Sequence, residues 1–545
     1  MPSSKIFIEL LKNRGLVGNQ AELFLHPDYK LTKYNPFLLP GMDMAVERLA
    51  HAQAKGEKVV IYGDYDIDGI SATAILFDSF KKFGLNVDTY TPDRFIEGYG
   101  LNESAMRLLA KQGADLIVTV DCGSLSHSEI DLANDLGMAV IVTAHHALAD
   151  TLPNAIAVIN PHRADSSYPF GDLSGCGTAF KLVQALQTRL DGLPDGQEKW
   201  LLDLVALGTV CDIVPLVEEN RNNVYWGIEV LKKTRRPGLK ALMAVAKVRP
   251  NELSAHKIGF VLGPRLNAAG RLETAKYALD LLLTDNPNRA LELAQKLEGL
   301  NSERRAEQDR IFAEAADKLK DTQDDVLVVA GEGWNEGVIG IVASKLVEKY
   351  KKPTFVVALG EKEAKGSGRS FGDFSLADAI HTTKKKYLLK GGGHAAAGGV
   401  TLEIGKLSAW REAVNAYYKS LKLNNQLEHL QVTEDIRVDK LSEITTSLLD
   451  DIKALEPFGM GNEAPIFCLQ GVTAKFVDRI GKNKDHLKLT IVDRANNTFK
   501  LLAFSPLSDW FIEPGSQITL WVALNINEWN GIKSAEGQIL RLETK

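Results

Sequence analysis

Three aspartates stand at alternate positions directly after an apolar stretch of this chain. Asp64, Asp66 and Asp68 follow the apolar residues 59–62 and precede Gly69, and no basic residue lies among them. Carboxylates this close together repel one another unless cations lie between them. The pattern therefore predicts a metal site at the carboxyl end of a β-strand.

Two other interpretations of this pattern have to be weighed. An EF-hand loop also begins with alternating acids and a glycine. Such a loop follows a helix and has Glu at its twelfth position, whereas this segment follows an apolar strand and has Ile75 there. An acidic turn that caps the next helix remains the second alternative. Three acids in alternation favour the metal site, because a cap needs only one.

Polar side chains follow three further apolar runs in the same half of the chain. Asp121 comes after residues 116–120, His145 after residues 140–143, and Asp212 after a run from residue 207 that we take for another strand. The carboxyl ends of parallel strands meet at one edge of a sheet, where ligands bind. We therefore expect six side chains to converge: Asp64, Asp66, Asp68, Asp121, His145 and Asp212.

The chemistry of this set favours hard divalent ions. Five carboxylates with one imidazole suit Mn²⁺ or Mg²⁺, whereas structural zinc sites are built from Cys and His. Two such ions, bridged by one Asp, activate water and stabilise the leaving oxygen of a phosphoester. For His145 alone, a core or capping histidine is an equally good interpretation. The set as a whole predicts a two-metal phosphoesterase site.

The elements that must hold these residues alternate along the chain. Between residues 46 and 215, apolar strands at 59–62, 116–120, 139–143 and 155–159 alternate with helical segments. This alternation predicts a parallel α/β sheet. Residues 216–287 are mostly helical and complete the same lobe. Residues 288–320 contain no proline and predict one long amphipathic helix that connects two lobes.

The remaining segments predict three further parts. Residues 1–45 form an N-terminal arm that prolines interrupt, and residues 321–424 form a second, glycine-rich α/β unit. Short strands separated by turns between residues 430 and 545 predict a small β-barrel of the OB type. The predicted fold class is therefore α/β, with two α/β lobes joined by a long helix and a C-terminal OB-fold barrel.

Composition limits the class of protein. The 545 residues are 45% hydrophobic and 25% charged, as in a globular protein with several domains. Four dispersed cysteines indicate free thiols, and the sequence predicts no secretory leader or membrane span. We therefore expect a cytoplasmic protein without a membrane partner. The net charge of −6 does not attract nucleic acid, so binding would need basic segments such as 232–236 or 384–390; solvated faces are the alternative.

Several segments together carry a family resemblance. Residues 63–69, 120–123, 143–146 and 208–215 resemble the four motifs of the DHH phosphoesterase superfamily, most closely those of its single-strand-specific 5′→3′ exonucleases. Residues 366–370 and 391–394 resemble its DHHA1 domain, and residues 430–545 resemble the OB-fold of the same exonucleases. The resemblance covers nearly the whole chain. It implies a DHH catalytic domain at 46–215 and a DHHA1 domain at 321–424.

The resemblance implies roles for the acidic cluster. It assigns one Mn²⁺ or Mg²⁺ to three carboxylates and a second ion to three carboxylates and one imidazole, with Asp121 shared. The implied ligands of the first ion are Asp64, Asp66 and Asp121. Those of the second ion are Asp68, Asp121, His145 and Asp212. His146 is implied to contact the scissile phosphate, so that His146 and Asp64 count as catalytic.

The resemblance also implies a binding site for the DNA strand. It assigns the 5′-terminal phosphate to Arg94, Ser367 and Arg369, which suits the bidentate grip of Arg on phosphate. Arg265 would act as a gate that admits only a single strand, and His394 would line the DHHA1 side of the cleft. Ordinary surface ion pairs are the alternative for the arginines.

One position departs from the family pattern. The superfamily is named after an Asp-His-His triplet, and this chain has Ala144 before His145 and His146. Alanine offers neither a ligand nor a hydrogen-bond acceptor, and loss of a group that supports metal ligands typically costs about 10–100-fold. We therefore expect metal binding to survive while turnover is weakened or lost. An introduced change and a natural one fit the sequence equally well.

The combined expectation is a cytoplasmic exonuclease that degrades single-stranded DNA from a 5′-phosphorylated end and releases mononucleotides, in recombination and repair. A monomer fed by a helicase and a single-strand-binding protein fits this activity. Two alternatives remain. One is a phosphodiesterase for short oligonucleotides or nucleotide phosphates, which would need neither the connector nor the barrel. The other is a non-catalytic single-strand-binding scaffold, which Ala144 favours and the complete ligand set disfavours.

Overall fold

Helices at the N-terminus pack against the C-terminal domain. The computed structural model describes residues 4–94, 97–423, 432–481, 484, 486–504, 510, 512–529 and 532–544. The first two helices are α1 (Lys5–Asn13) and α2 (Gly18–Leu25). Leu10 of α1 is completely buried in the hydrophobic core of the C-terminal barrel. Arg14 pairs with Asp435 there, with 2.8 Å between Nε and Oδ1. The first two helices thus pack on the barrel domain, whereas Tyr29 and Leu39, which follow them, belong to the core of the first lobe.

A five-stranded parallel sheet forms the centre of the first lobe. Its strand order is β2-β1-β3-β4-β5. β1 and β3 are adjacent although β2 lies between them in sequence, so the chain changes direction at that pair; ligand crevices form at such points. The elements of this lobe are α3 (Met42–Lys55), β1 (Lys58–Gly63), α4 (Ile67–Lys82), β2 (Asn86–Tyr90), α5 (Glu103–Lys111), β3 (Leu116–Val120), α6 (His127–Asp135), β4 (Ala139–Thr143) and β5 (Ala157–Ile159).

Helices complete the lobe, and one of them corrects a prediction. The elements are α7 (Gly175–Leu186), α8 (Leu202–Cys211), α9 (Glu218–Leu231), α10 (Pro237–Val245), α11 (Ala255–Lys257), α12 (Gly263–Leu272) and α13 (Lys276–Leu283). The apolar run before Asp212 was predicted to be a strand, and this is wrong, because that run is helix α8. The helix is apolar all round and buried over most of its length, so its sequence has no 3.6-residue period to distinguish it from a buried strand.

The connector helix α14 (Pro287–Lys318) belongs to two hydrophobic cores. Its first half contributes Leu293 and Leu297 to the core of the first lobe. Its second half contributes Ile311 and Ala315 to the core of the second lobe. The helix therefore fixes the two lobes relative to each other, since bending it would expose apolar surface on one side.

The second lobe is a mixed sheet with helices packed on it. Its strand order is β6-β7-β8-β10-β9, in which β6 and β7 are parallel and the remaining pairs antiparallel. Residues 424–431, on the predicted boundary with the barrel, lie outside the described residues. The elements are β6 (Leu327–Glu332), α15 (Ile339–Tyr350), β7 (Thr354–Leu359), β8 (Glu363–Arg369), α16 (Leu376–Tyr387), β9 (Lys390–Gly393), β10 (Ala397–Glu403) and α17 (Leu407–Leu423).

The C-terminal domain is a closed barrel. Its strand order is β11-β12-β13-β14-β16-β15, and a further pairing of β12 with β15 closes the sheet on itself. Among the described residues, no helix combines the length and the apolar character that a membrane crossing requires. The elements are β11 (Ile436–Val438), α18 (Thr446–Lys453), β12 (Ile466–Ile480), β13 (His486–Val492), β14 (Thr498–Phe504), β15 (Gln517–Trp529) and β16 (Ile532–Thr544).

Candidate metal centre and phosphate-binding cleft

The three alternating aspartates lie in the turn from β1 into α4. Asp66 is the N-cap of α4, and its Oδ1 accepts hydrogen bonds from the backbone N–H groups of Asp68 (2.9 Å) and Gly69 (3.1 Å). Asp64 and Asp68 are buried, whereas Asp66 is half-buried. A Cβ atom at position 69 would lie 2.8 Å from the backbone of Asp64. Residue 69 must therefore be glycine, because any side chain there would clash with Asp64 across the turn.

Asp121, at the end of β3, faces two neighbouring imidazoles with one carboxylate oxygen. Its backbone has a left-handed φ of 61°. Its Oδ1 lies 3.1 Å from Nε2 of His145 and 3.2 Å from Nε2 of His146, both of which follow β4. Asn160 donates a hydrogen bond to the carbonyl of His146 (2.8 Å), which holds that loop in place. This carboxylate is thus the centre of the cluster.

Helices α7 and α8 complete the cluster. The backbone N–H groups of Gly175 and Cys176, at the start of α7, donate to the carboxylate of Asp68 at 2.6 and 3.0 Å. Asp212 caps the C-terminus of α8, and its Oδ2 lies 3.5 Å from Nε2 of His145. The side chain of Asp212 therefore joins the predicted group although a helix, and not a strand, carries it.

Without ions, the carboxylates of this cluster tend to hold protons. Burial and the neighbouring acids raise the pKa of Asp66 to about 7, and burial likewise raises the pKa of Asp64, Asp68 and Asp212. Burial lowers the pKa of His145, but Asp121, Asp68 and Asp212 raise it more, to about 10. Burial raises the pKa of Asp121, but His145 and His146 outweigh it, so that this pKa lies below its usual value. Such acids need positive charge to stay ionised together.

The donor atoms fit divalent ions. Oδ1 of Asp64, Oδ1 of Asp121 and Nε2 of His145 are buried, and within the described part of the chain none of them makes a hydrogen bond of good geometry, although the latter two atoms lie 3.1 Å apart as an ion pair. Buried polar atoms normally have a partner, so these atoms are available as ligands. Donor atoms lie within 4.8 Å of one another in three groups. The groups are Asp64, Asp66 and Asp121; Asp68, His145 and Asp212; and Asp121, His145 and His146.

Ala144 is completely buried directly after β4. Its N–H donates to the carbonyl of Ile159 (3.0 Å), so the backbone here continues the sheet. Its methyl group belongs to an apolar cluster that also contains Tyr62 and Cys122, from the ends of β1 and β3. A carboxylate at this position would be buried next to apolar side chains, where it would need a positive charge or a hydrogen bond.

The predicted phosphate ligands meet across the two lobes. Arg94 of the first lobe and Ser367 of the second line one cavity of about 430 Å³. The Arg94 guanidinium also lies over the ring of Tyr65, 5.0 Å from its centroid. Arg369 donates to the Oγ of Ser367 (3.2 Å), and burial together with Arg94 lowers its pKa. Two arginines so close together favour an anion between them.

A third arginine in this region was not predicted. Arg271 ends helix α12 and donates to the carbonyl of Gly337 in the second lobe (3.0 Å). Burial, and the neighbouring Arg94, Arg304 and Arg369, lower its pKa to about 10. Arg271 lies in the same helix as Arg265. The sequence of a helix does not by itself indicate which of its arginines points into a cleft, so Arg271 was not singled out. The structure thus adds Arg271 to the predicted cationic group.

Arg265 and His394 lie in other surroundings. Arg265 forms an ion pair with Glu298 of the connector helix and donates to the carbonyl of Val261 (2.6 Å). His394 is exposed in the turn between β9 and β10, where its backbone N–H donates to the carbonyl of Ala397 (2.8 Å). The ion pair holds Arg265 against the connector helix. The roles of Arg265 as a gate and of His394 as a cleft residue stay predictions.

Comparison with known families gives three matches along the chain. Residues 58–209 match the DHH family, N-terminal domain; residues 313–420 match the DHHA1 domain; and residues 436–540 match the RecJ OB domain. The single-stranded-DNA-specific exonuclease RecJ of Bacillus subtilis is 38% identical over 97% of this chain, which spans 66% of that protein. The Escherichia coli protein of the same name is 37% identical over 79% of this chain and 78% of its own length.

Solved structures agree with these matches. RecJ of Thermus thermophilus in complex with Mn²⁺ has a TM-score of 0.84 and 29% identity, over 98% of this chain and 75% of that one. The same protein in complex with Mg²⁺ has a TM-score of 0.79 and 27% identity, over 99% and 74% of the two chains. The overall arrangement of two α/β lobes and a barrel is thus shared with proteins that bind the ions predicted from the ligand set.

Proposed function

This chain belongs to the RecJ family, and from that premise we propose that it is a metal-dependent exonuclease that degrades single-stranded DNA from its 5′ end. The observation that carries the proposal is that Arg94 is close to both sites, since it lines one cavity with Ser367 and its charge acts on Asp64. The carboxylate–imidazole cluster lies at the switch point of the first lobe, and Arg94 connects it to Ser367 and Arg369 of the second. A terminal phosphate and a scissile phosphate can thus be bound at the same time.

Different residues of the chain would bind the metal ions, the scissile phosphate and the 5′-phosphate during phosphodiester hydrolysis. Asp64, Asp66, Asp68, Asp121, His145 and Asp212 would hold two Mn²⁺ or Mg²⁺ ions. When bound, such ions supply an activated water and neutralise charge on the leaving oxygen. His146, whose ring lies beside that of His145 with 4.3 Å between the centroids, would position the scissile phosphate. Arg94, Ser367 and Arg369 would hold the 5′-phosphate, so that one nucleotide fits between the two phosphate sites and a mononucleotide is released.

The barrel would deliver the strand to this cleft. A cavity of about 910 Å³ lies where the first lobe, the connector helix and the barrel segment around Phe458 meet. Ile213, which follows the metal ligand Asp212, lines it together with Phe260, and both side chains are mostly exposed. Apolar and aromatic surfaces of this kind bind unpaired bases by stacking. We expect the protein to act as a cytoplasmic monomer with a helicase and a single-strand-binding protein.

The proposal is tested by restoring the family aspartate at position 144. The full chain and its Ala144→Asp variant are incubated with a 3′-labelled, 5′-phosphorylated single strand and Mn²⁺. We expect the variant to degrade the strand stepwise from the 5′ end, about 10–100-fold faster than the parent chain, because the carboxylate supports the adjacent histidines. Circular single strands and blunt duplexes serve as controls and should persist.

Other results would favour the alternatives. Cleavage of dinucleotides but not of long strands would identify a small-substrate phosphodiesterase. Tight binding of single strands and of Mn²⁺ with no cleavage by either protein would identify a scaffold. Equal activity of both proteins would show that position 144 is not limiting and would leave the exonuclease proposal in place.

A further inference from the structure

The cavity beside the terminal-phosphate site continues beyond it. It has a volume of about 430 Å³, which exceeds the needs of a single phosphate group. Its walls include Arg94, Glu336, Lys365, Ser367, Lys390 and Thr401. The proposed function uses only Arg94 and Ser367 of this set. The remainder of the cavity is therefore free to take something attached to the terminal phosphate.

The sheet register orders these residues on one face. Ser367 of β8 lies opposite Gly399 of β10, which in turn lies opposite Gly392 of β9. Two residues further along, Lys365, Thr401 and Lys390 form the next row of the same face. Side chains two apart on a strand point the same way and are separated by roughly 7 Å. The row with two lysines thus lies just beyond the row that holds the terminal phosphate.

The sheet surface beside Ser367 in its own row is open. A Cβ atom at Gly392 would meet nothing within 4 Å, and one at Gly399 only a carbonyl at 3.9 Å. The glycines leave a smooth floor on which a chain of linked groups can lie. Because none of the described lining residues is aromatic, the cavity offers no stacking partner for a base. These features suit an extended, flexible anion better than a nucleobase.

Charge supports the same ligand. The cavity contains three basic side chains against the single carboxylate of Glu336, which pairs with Lys365 (2.8 Å). Lys390 is exposed at the far row, and Thr401 between the lysines adds a hydroxyl donor. A lysine ammonium binds phosphate as a mobile point charge, so it can follow a flexible phosphate chain. Along β8, Lys365 lies on the side of Ser367 opposite to Arg369, so the lysine row extends the site away from that arginine.

We propose that this cavity binds the β- and γ-phosphates of 5′-triphosphorylated strands, which the protein would then process like 5′-monophosphorylated ones. The inference rests on the proposed function. In the reaction, water attacks the first internucleotide phosphorus, and the bond from that phosphorus to the 3′-oxygen of the terminal nucleotide breaks. A proton passes to the 3′-oxygen. The products are a nucleoside 5′-triphosphate and a strand that is one nucleotide shorter and carries a 5′-phosphate.

Binding without metal tests the cavity independently of activity. Fluorescently labelled single strands with a 5′-hydroxyl, a 5′-monophosphate or a 5′-triphosphate are titrated with the full chain in the presence of EDTA. We expect the triphosphate strand to bind at least as tightly as the monophosphate strand. Lys390→Ala should weaken triphosphate binding about tenfold, as for loss of one hydrogen bond to a charged group, and Lys390→Glu should weaken it more. Monophosphate binding should change less than twofold in either variant.

A matched lysine provides the control. Lys349, on helix α15 of the same lobe, is exposed and does not line the cavity. Lys349→Glu changes the net charge as much as Lys390→Glu and should leave all three affinities unchanged. Equal effects of the two charge reversals, or a triphosphate strand that binds more weakly than the monophosphate strand to the parent chain, would overturn the proposal.

Product analysis completes the test with the Ala144→Asp chain and Mn²⁺. Release of a labelled nucleoside triphosphate from the triphosphate strand supports the proposal. Degradation of the monophosphate strand alone contradicts it and leaves the exonuclease function intact. If neither strand is degraded, the exonuclease function fails, and the metal-free affinities still decide whether the cavity binds the triphosphate.

Discussion

Among single residues, Gly208 of α8 is important because it packs directly against the proposed metal ligand Asp68. A Cβ atom there would lie 2.5 Å from Oδ1 of Asp68 and from Sγ of Cys176. We expect Gly208→Ala to displace the Asp68 carboxylate and to reduce Mn²⁺ affinity, measured by isothermal titration calorimetry, at a stability cost of about 1–3 kcal/mol. Gly299→Ala, in the connector where a Cβ meets nothing within 4 Å, should leave metal affinity unchanged and stabilise by up to about 1 kcal/mol. Unaltered Mn²⁺ affinity in Gly208→Ala would contradict the ligand role of Asp68.

Arg271 is the residue that the sequence did not single out. It is half-buried, and the charges of Arg94 and Arg369 are close enough to lower its pKa, so it should contribute to phosphate binding. Arg271→Leu should weaken the binding of a 5′-phosphorylated single strand about tenfold, as expected for loss of a hydrogen bond to a charged group. Fluorescence anisotropy measures this change. Arg310 also donates to a second-lobe carbonyl, that of Gly333 at 3.0 Å, so a comparable loss in Arg310→Leu would assign the effect to lobe packing.

Helix α1 is the element whose role is least evident from its position in the chain. Leu10 is completely buried in the barrel core, whereas Ile8 of the same helix is 54% exposed. Leu10→Ala should lower the stability of the barrel domain by about 2–5 kcal/mol, because it leaves a cavity in that core. Ile8→Ala should change it by less than about 0.5 kcal/mol. Limited proteolysis followed by mass spectrometry locates the destabilised domain, and cleavage confined to the first lobe would contradict this role.

Several elements were predictable and others were not, for identifiable reasons. Residues 116–120 and 139–143 carry β-branched runs with polar residues after them, and the structure has strands with those bounds. β2 was missed, because its sequence Asn-Val-Asp-Thr-Tyr has only one aliphatic residue. Helix α8 was taken for a strand because it is buried on every side. The packing of α1 on the barrel depends on contacts across more than 400 residues, such as Arg14 with Asp435, which no local pattern encodes.

Metal binding should stabilise the whole molecule in a pH-dependent way. In the metal-free protein the pKa values of Asp66 (about 7) and His145 (about 10) exceed their usual values. The folded state then binds more protons than the unfolded state between pH 6 and 8, so metal-free stability falls as pH rises through this window. Bound ions replace those protons. We therefore expect Mn²⁺ to raise the melting temperature more at pH 7.5 than at pH 6, measured by scanning calorimetry.

The size of this effect follows from ligand linkage. Free Mn²⁺ at about 100 times its Kd contributes about 2.7 kcal/mol to the folded state. Asp121→Asn removes the carboxylate that both proposed ion sites share and serves as the control, in which the Mn²⁺-dependent increase should largely disappear. A shift that is the same at both pH values would indicate that the ions bind elsewhere.

Helix α14 holds the two lobes at a fixed separation. Its two halves are anchored in separate cores, so the distance from the terminal-phosphate ligands to the acidic cluster does not depend on the strand that enters. If the proposed sites hold neighbouring phosphates of one strand, each step of degradation would have the same length whichever base the strand carries. The length of each product would then be set by the protein scaffold and not by the DNA sequence.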